Sequence, residues 1–415
     1  MTGSGHASAA LDLEPGPLRD ELFPELAKRE AAEREQAQAE ELQRRAAEHA
    51  ETLVFSGNGA EYFRIWIVNL LLTMVTLGAY SAWAKVRKTR YFWRNTSLYG
   101  HRFDFHGSPW AVLRGRIVAL ILIVAYTWAF DFSAVAGLVT VGLLCAVAPL
   151  LFLRAQQFKL GNTSYRGLRF HLDARPRDAY RRLLPLPLLW FSVTVASSAL
   201  GAPAFVVGAL SLLVVILFPW MHHQLKQFQH GHAQYGSLSA SFDPCWSTFY
   251  SAYFIAAAMM VGVSMIFLFL IMGVGGPMAP WLATRFGIEE QTIENITAVT
   301  GVVAALVSYL SVWPYVATRL QQAVWGSTSM GPVRFWTYIK ASELFVLVLK
   351  CALLTVLTLG LYWPFAAIRL ARYRIQCLEL RTTLPPDQVV GDVRPRAPGA
   401  TGDGAADFFG LDVGL

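Results

Sequence analysis

The sequence predicts an all-α integral membrane protein, a multi-pass bundle of repeated helical hairpins with six full spans and two short or re-entrant hairpins. Three observations carry that expectation. Hydrophobic residues make up 54% of the 415 positions and charged residues only 15%, well away from the balance of a soluble chain. Six apolar runs, at about 111–130, 133–153, 183–200, 202–221, 249–273 and 298–317, reach the ~20 residues that a bilayer crossing requires. Finally, LLTMVTLGAYSAWAKVRKTRYFWRN at 71–95 is nearly restated at 353–377 as LLTVLTLGLYWPFAAIRLARYRIQC, at a constant offset of 282 that extends back to Glu61 and Glu343. The chain therefore reads as a multiplied unit.

Taken in order, residues 1–24 carry Gly, Pro, Ser and acidic residues without periodicity and are expected to be a disordered tail. Residues 25–54 are dominated by Ala, Glu, Gln, Arg and Leu, which favour a solvated, charged cytoplasmic helix over a coiled coil. The membrane domain is expected over 55–380, and 381–415, rich in Pro, Gly and Asp, should be a second disordered tail. No secretory signal pattern is found in the first 60 residues.

Charge placement sets the topology. Eight Lys or Arg lie between 85 and 116 and eight more between 154 and 182, whereas the opposite connections hold only Arg285. The basic loops, and with them both termini, should face the cytoplasm. Each apolar run is followed by a related tail: Asn95-Thr96-Ser97 matches Asn162-Thr163-Ser164, weaker versions occur near His232 and Ser327, and the fifth closes the repeat. Short aromatic segments such as Phe103-Asp104-Phe105 precede the runs and read as interfacial strand-like connectors. If all five tails are cytoplasmic, the interrupted runs 62–84 and 343–368 must turn back within the membrane, with Gly78 and Gly360 permitting the turn. Read instead as single tilted spans, they give eight spans and place one terminal tail on the other side.

Basic and aromatic residues recur after the runs: Lys85, Arg87, Arg90 and Tyr91, then Arg154, Arg319, Arg369, Arg372 and Tyr373. Beside an apolar span these types anchor at lipid headgroups more readily than they bind nucleic acid, so anionic lipid at the cytoplasmic face is the expected partner and nucleic acid is not. Arg87 and Arg90, with their repeats, should pair with Glu61 and Glu343 or with helix-end carbonyls. Asn69 and Lys350 lie deepest in the hydropathy pattern and, with Thr76, Gly78, Tyr80, Thr358, Gly360 and Tyr362 at the turns, form the candidate substrate pathway. The Asn-Thr-Ser triplets read as turn and capping residues. His222, His223, His230 and His232 cluster without a carboxylate or thiol, so no metal site is expected, and no cofactor or catalytic motif nominates an enzyme.

The pattern FSGNGAEYFRIWIVNLLLTMVTLGAYSAWAKVRKTRYFWRN, continuing to Gly107 and closing with TLGLYWPFAAIRLARYR, is very similar to the YjgN-like family of bacterial inner-membrane proteins, defined by a domain of unknown function. The resemblance implies a multi-pass inner-membrane protein and brings no substrate, cofactor or catalytic residue. Two functions remain open from the sequence: a permease or channel for a small solute or lipid, and a non-transporting scaffold that holds anionic lipid, or a partner protein through its N-terminal helix.

Overall fold

The computed structural model describes residues 49–275, 281, 284–287 and 289–382. The tail expected over 1–24 lies outside these residues, as do most of the charged helix expected over 25–54 and all of the tail expected over 381–415 except Arg381 and Thr382, which are corrected to the end of a strand. The last part of that helix is corrected: from His49 the chain is strand.

Five units follow one another, each a leading helix and a trailing helix followed by a pair of short strands in the first four and by a single strand in the fifth. After β1 (His49–Thr52) and β2 (Val54–Phe55), the first unit contains α1 (Gly59–Val75), α2 (Ser81–Arg94), β3 (Thr96–Leu98) and β4 (His101–Phe105). The second contains α3 (Pro109–Phe132), α4 (Ala134–Gly161), β5 (Thr163–Tyr165) and β6 (Leu168–Leu172). In the third, the leading helix is split into α5 (Pro176–Leu183) and α6 (Pro185–Thr194), followed by α7 (Ala204–Gly231), β7 (Ala233–Tyr235) and β8 (Leu238–Phe242). The fourth has α8 (Trp246–Gly275), α9 (Glu290–Gly326), β9 (Thr328–Met330) and β10 (Val333–Thr337), and the fifth has α10 (Ala341–Leu357), α11 (Trp363–Gln376) and β11 (Leu378–Thr382).

Among the described residues, five helices are long and apolar enough to cross a membrane, and the bent pair formed by α5 and α6 with its π-helical end, taken as one span, makes a sixth. These match the six runs expected from hydropathy. Their apolar windows are only 11% to 33% buried within the protein, as suits side chains whose solvent is lipid. The interrupted runs fold back: α1 and α2 form an antiparallel hairpin, and so do α10 and α11, because the start of each first helix bonds the end of the second.

The all-α expectation is corrected by an eleven-stranded antiparallel sheet with the order β1-β11-β10-β9-β8-β7-β6-β5-β4-β3-β2. Its two outer strands are consecutive in the chain and separated by Leu53 alone, so the sheet closes nearly into a ring. Leu53 continues the pairing by donating its N–H to Leu378 O at 3.1 Å. Two-residue turns make the hairpins. Tyr99-Gly100 and Arg166-Gly167 both have positive φ, whereas in the third and fourth units Gly236 and Gly331 hold the first turn position. One residue of each unit joins a packed centre: Leu98, Tyr165, Tyr235, Met330 and Leu380, with Phe103 and Phe170 beside them. The Tyr165 hydroxyl donates to Leu98 O at 2.8 Å and that of Tyr235 to Tyr165 O at 3.0 Å, so the buried phenols are satisfied.

Helices pack in the same circular order. Tyr62, Val112, Ala179, Phe249 and Leu344 stand at one position of the five leading helices and are buried in every unit. The last unit meets the first, with Ile368 and Ile375 packed on Phe55 and Tyr62, and Phe365 stacked on Phe63 at 5.7 Å. Because the ring is closed through Leu53, Leu53→Pro should cost about 1–3 kcal/mol through the lost ladder bond, while Leu53→Val should cost well under that. Thermal unfolding of the detergent-purified chain checks this, and equal midpoints for the two variants would remove closure as a source of stability.

Candidate functional site

The site is built around the two TLG hairpins and the ring of trailing helices they belong to. Each turn is a satisfied helix ending. Gly78 N–H reaches Thr73 O at 2.8 Å and Leu77 N–H reaches Met74 O at 3.2 Å; Gly360 and Leu359 repeat these bonds to Thr355 and Val356. The Thr76 hydroxyl donates to Leu72 O and accepts the Tyr80 N–H at 2.9 Å, as Thr358 does for Leu354 and Tyr362. Threonine therefore closes one helix and opens the next. The residue between Thr and Gly is left-handed although it is leucine, with φ 49° at Leu77 and 50° at Leu359. These leucines are 96% and 95% exposed.

The base of each hairpin is locked by a tyrosine. The Tyr91 hydroxyl receives the Asn58 N–H at 2.9 Å and lies 3.1 Å from Glu61 Oε2, and Tyr373 makes the equivalent contacts with Lys340 and Glu343. The glutamates thus meet tyrosines rather than arginines. Arg90 and Arg372 instead donate to backbone carbonyls beside the next leading helix, Phe105 O at 3.1 Å and Gly57 O at 2.7 Å. In the basic loop beyond, the Arg94 guanidinium at 2.8 Å holds the Asp104 carboxyl below its usual pKa.

The trailing helices end at Asn95, Asn162, His232, Ser327 and Cys377. Asn95 and Asn162 cap with their side-chain amides, donating to Tyr91 O and Phe158 O, and Thr96, Thr163 and Thr328 donate to carbonyls four residues back. Eight residues before each cap stand Arg87, Arg154, Gln224, Arg319 and Arg369, and all four arginines are exposed. The leading helices add Arg64, Arg114 and Arg181, also exposed and each nine residues beyond an aligned strand end at Phe55, Phe105 or Leu172. The sequence alone does not single out these three, because the alignment that places them together requires the strand register.

The pathway candidates are distributed differently from their hydropathy. Asn69 is buried and accepts from Arg87 Nη1 at 3.3 Å, which puts it at the level of the arginines. Lys350 is exposed on α10, a separate hairpin. Thr76 and Gly78 lie exposed at one tip; Thr358 and Gly360 are half-buried at the other, and Tyr80 and Tyr362 are half-buried behind them, with Arg369 over the Tyr362 ring at 5.5 Å. Lys85 is half-buried on α2. The histidines are separated by aromatic partners: His222 Nδ1 lies 2.6 Å from the Tyr253 hydroxyl, while His230 stacks on Phe242. Among the described residues no three His, Cys, Asp or Glu side chains converge as metal ligands.

The fold defines a multi-pass membrane protein made of five related hairpin units joined in a ring. The chain belongs to the bacterial family DUF898, described as a bacterial protein of unknown function, which matches residues 50–408. It is 31% identical over 177 residues to the inner membrane protein YjgN of Salmonella typhimurium, covering 40% of this chain and 45% of that one. With YjgN of Escherichia coli it shares 30% over 144 residues, 33% of this chain and 35% of the relative. The matched stretch thus spans less than half of either relative. No solved structure matches.

Tyr91→Phe removes the hydroxyl that meets both the Asn58 N–H and Glu61, and should lower stability by about 1–3 kcal/mol. Tyr373→Phe should do the same in the fifth unit. An unchanged unfolding midpoint in both variants would show that the hairpin bases are held by other contacts.

Proposed function

We propose that the protein is a membrane scaffold that engages lipid, holding anionic headgroups around a cytoplasm-facing ring, and that solute conduction along the ring axis is not its activity. The observation that carries this reading is the girdle: Arg87, Arg154, Arg319 and Arg369 at one position of four units, exposed, with the uncharged Gln224 at that position in the third unit. Exposed arginines at the end of an apolar span have lipid phosphates as their natural partners. The sheet end of the ring axis is filled by Leu98, Tyr165, Tyr235, Met330 and Leu380, which argues against an axial pore for a solute. Orientation follows from the basic loops, which belong in the cytoplasm.

Helix lengths support a depth for each element. Twenty residues separate Arg154 from Ala134, the start of α4, a rise of ~30 Å that matches a ~30 Å hydrocarbon core. Only six separate Arg87 from Ser81 and Arg369 from Trp363, ~9 Å each before the turn. With their arginines at headgroup level, the TLG tips end near mid-bilayer as re-entrant hairpins. The threonines, glycines and tyrosines of the candidate pathway then serve as turn chemistry, and the charged N-terminal segment that leads into β1 is the place for a partner protein.

Polymer nanodiscs cut from native membrane test the lipid reading. Phosphatidylglycerol should be enriched around the wild-type chain, and the combined change Arg87→Gln, Arg154→Gln, Arg319→Gln and Arg369→Gln should reduce that enrichment severalfold, given ~1 kcal/mol per basic contact. Unchanged enrichment, together with a solute flux in proteoliposomes that Asn69→Leu abolishes, would favour transport instead. Single cysteines at Leu77 and Leu359 should be quenched by lipid-borne quenchers at mid-depth and resist membrane-impermeant maleimide from both sides. Ready labelling of both would place the tips in water.

A further inference from the structure

The third unit breaks the repeat. Its leading helix carries Pro185 and Pro187 where the second and fourth units have uninterrupted helices, Pro109–Phe132 and Trp246–Gly275. Two adjacent turns lose a backbone donor each, leaving carbonyls at Arg181 and Leu183 without their i+4 partners. The helix bends there by 43°, and it ends in a π-helical turn over Val195–Ala199. This bend opens a groove of about 750 Å³ against α7 and α8, lined by Arg181, Leu184, Leu188, Leu217, Trp220 and Tyr250.

The lining has one charged side chain, and it sits at one end. Arg181 stands with Arg64 and Arg114 in the leading-helix set, outside the girdle, while Leu184, Leu188 and Leu217 continue from it along apolar spans. Trp220 and Tyr250 add the amphipathic rings that favour the boundary between headgroup and chain. The volume falls in the range of ligand sites, ~300–1,000 Å³. No carboxylate contributes to the lining, so an anion is preferred at the charged end.

We propose that this groove binds one anionic phospholipid of the cytoplasm-facing leaflet, its phosphate at Arg181 and an acyl chain along Leu184, Leu188 and Leu217. The proposal rests on the lipid-engaging reading for its orientation and leaflet. It differs from the girdle in kind: the girdle gathers mobile lipid by charge, whereas the groove holds a single molecule by charge and shape together. Bending the leading helix removes it from the position that its straight counterparts occupy, and lipid fills the space.

Native mass spectrometry of the full detergent-purified chain, titrated separately with palmitoyl-oleoyl phosphatidylglycerol and palmitoyl-oleoyl phosphatidylethanolamine, tests this. The wild-type chain should retain one phosphatidylglycerol at collision energies that strip all others. Arg181→Gln should weaken that molecule about fivefold and phosphatidylethanolamine much less, as expected for the loss of one basic contact. Leu188→Trp, at an exposed lip, and Leu217→Trp, from the opposite wall, should each displace both lipids, with unfolding midpoints confirming that at least one variant is folded. The four-arginine girdle variant should keep the retained molecule; its behaviour in nanodiscs is read separately, so the two proposals fail independently. Equal retention by wild type and the folded groove variants means adventitious annular lipid only and overturns the site. Equal weakening of both lipids by Arg181→Gln overturns the assignment of the phosphate.

Discussion

One backbone hydrogen bond, made five times, fixes the geometry on which everything else depends. The residue after each leading strand donates its N–H to the carbonyl that caps the next unit's trailing helix: Ser56 to Asn95, His106 to Asn162, Asp173 to His232, Asp243 to Ser327 and Tyr338 to Cys377, at 2.8 to 3.2 Å. A helix C-terminus leaves carbonyls that need donors, and here the neighbouring unit supplies one. Each trailing helix is therefore pinned in height to the sheet, and each unit to the next. The fifth bond closes the circle because β2, which precedes the first unit, supplies the strand that the last unit lacks.

Once the helix ends are pinned, levels in the membrane follow by counting back from the cap. At eight residues stand the arginines; at thirteen stand Pro149, Pro219, Pro314 and Pro364, with Ala82 in the first unit. Pro149, Pro219 and Pro314 lie inside long helices, whereas Pro364 falls in the first turn of α11, where proline costs a helix nothing. The units therefore agree from the sheet as far as this level and diverge beyond it. Three continue into full spans and two turn round, and the short ones are neighbours because the ring joins the fifth unit to the first. Below the proline level the architecture is one repeated solution; above it each unit is free to differ, and the bent leading helix of the third unit is another such difference.

Much of this was legible in the residues. The offset between Thr76 and Thr358, the aligned tails and six apolar runs gave the units, their order and the fold-back of the terminal pair. The sheet was harder to read. Its strands are two to five residues long and, outside the two-residue hairpins, pair across about 40 or more intervening residues, as Phe55 does with Thr96, so local periodicity cannot distinguish a closed ring from separate connectors. His49–Thr52 was assigned to helix because its neighbours are strong helix formers, and tertiary pairing with β11 overrides that preference. The neighbours of Asn69 were hidden for a different reason. Hydropathy measures distance from the ends of an apolar run, whereas Asn69 faces Arg87 across a hairpin and so shares its level. Leu-Pro-Leu-Pro at 184–187 was visible as well, but within a run of apolar residues it does not reveal which way the helix bends.

The leucines at the hairpin tips decide between water and lipid by the sign of a sum. A left-handed leucine costs roughly 1–2 kcal/mol relative to a glycine, which is the ordinary residue at that position of a helix ending. In water a side chain 96% exposed returns nothing against that cost, and the packing around Leu77 offers no compensation: even a methyl group built on the adjacent Gly78 would meet nothing within 4 Å. In hydrocarbon the same exposure becomes transfer out of water, worth roughly 1.5–3 kcal/mol for a leucine. The balance is then favourable, and it is favourable twice, since Leu359 repeats the conformation and the exposure. Tips that touched water would do better with glycine in both places. Leucine in a left-handed conformation is the choice expected where the turn must end in lipid, and that ties the strain at the tips to the half-depth hairpins proposed for the two terminal units.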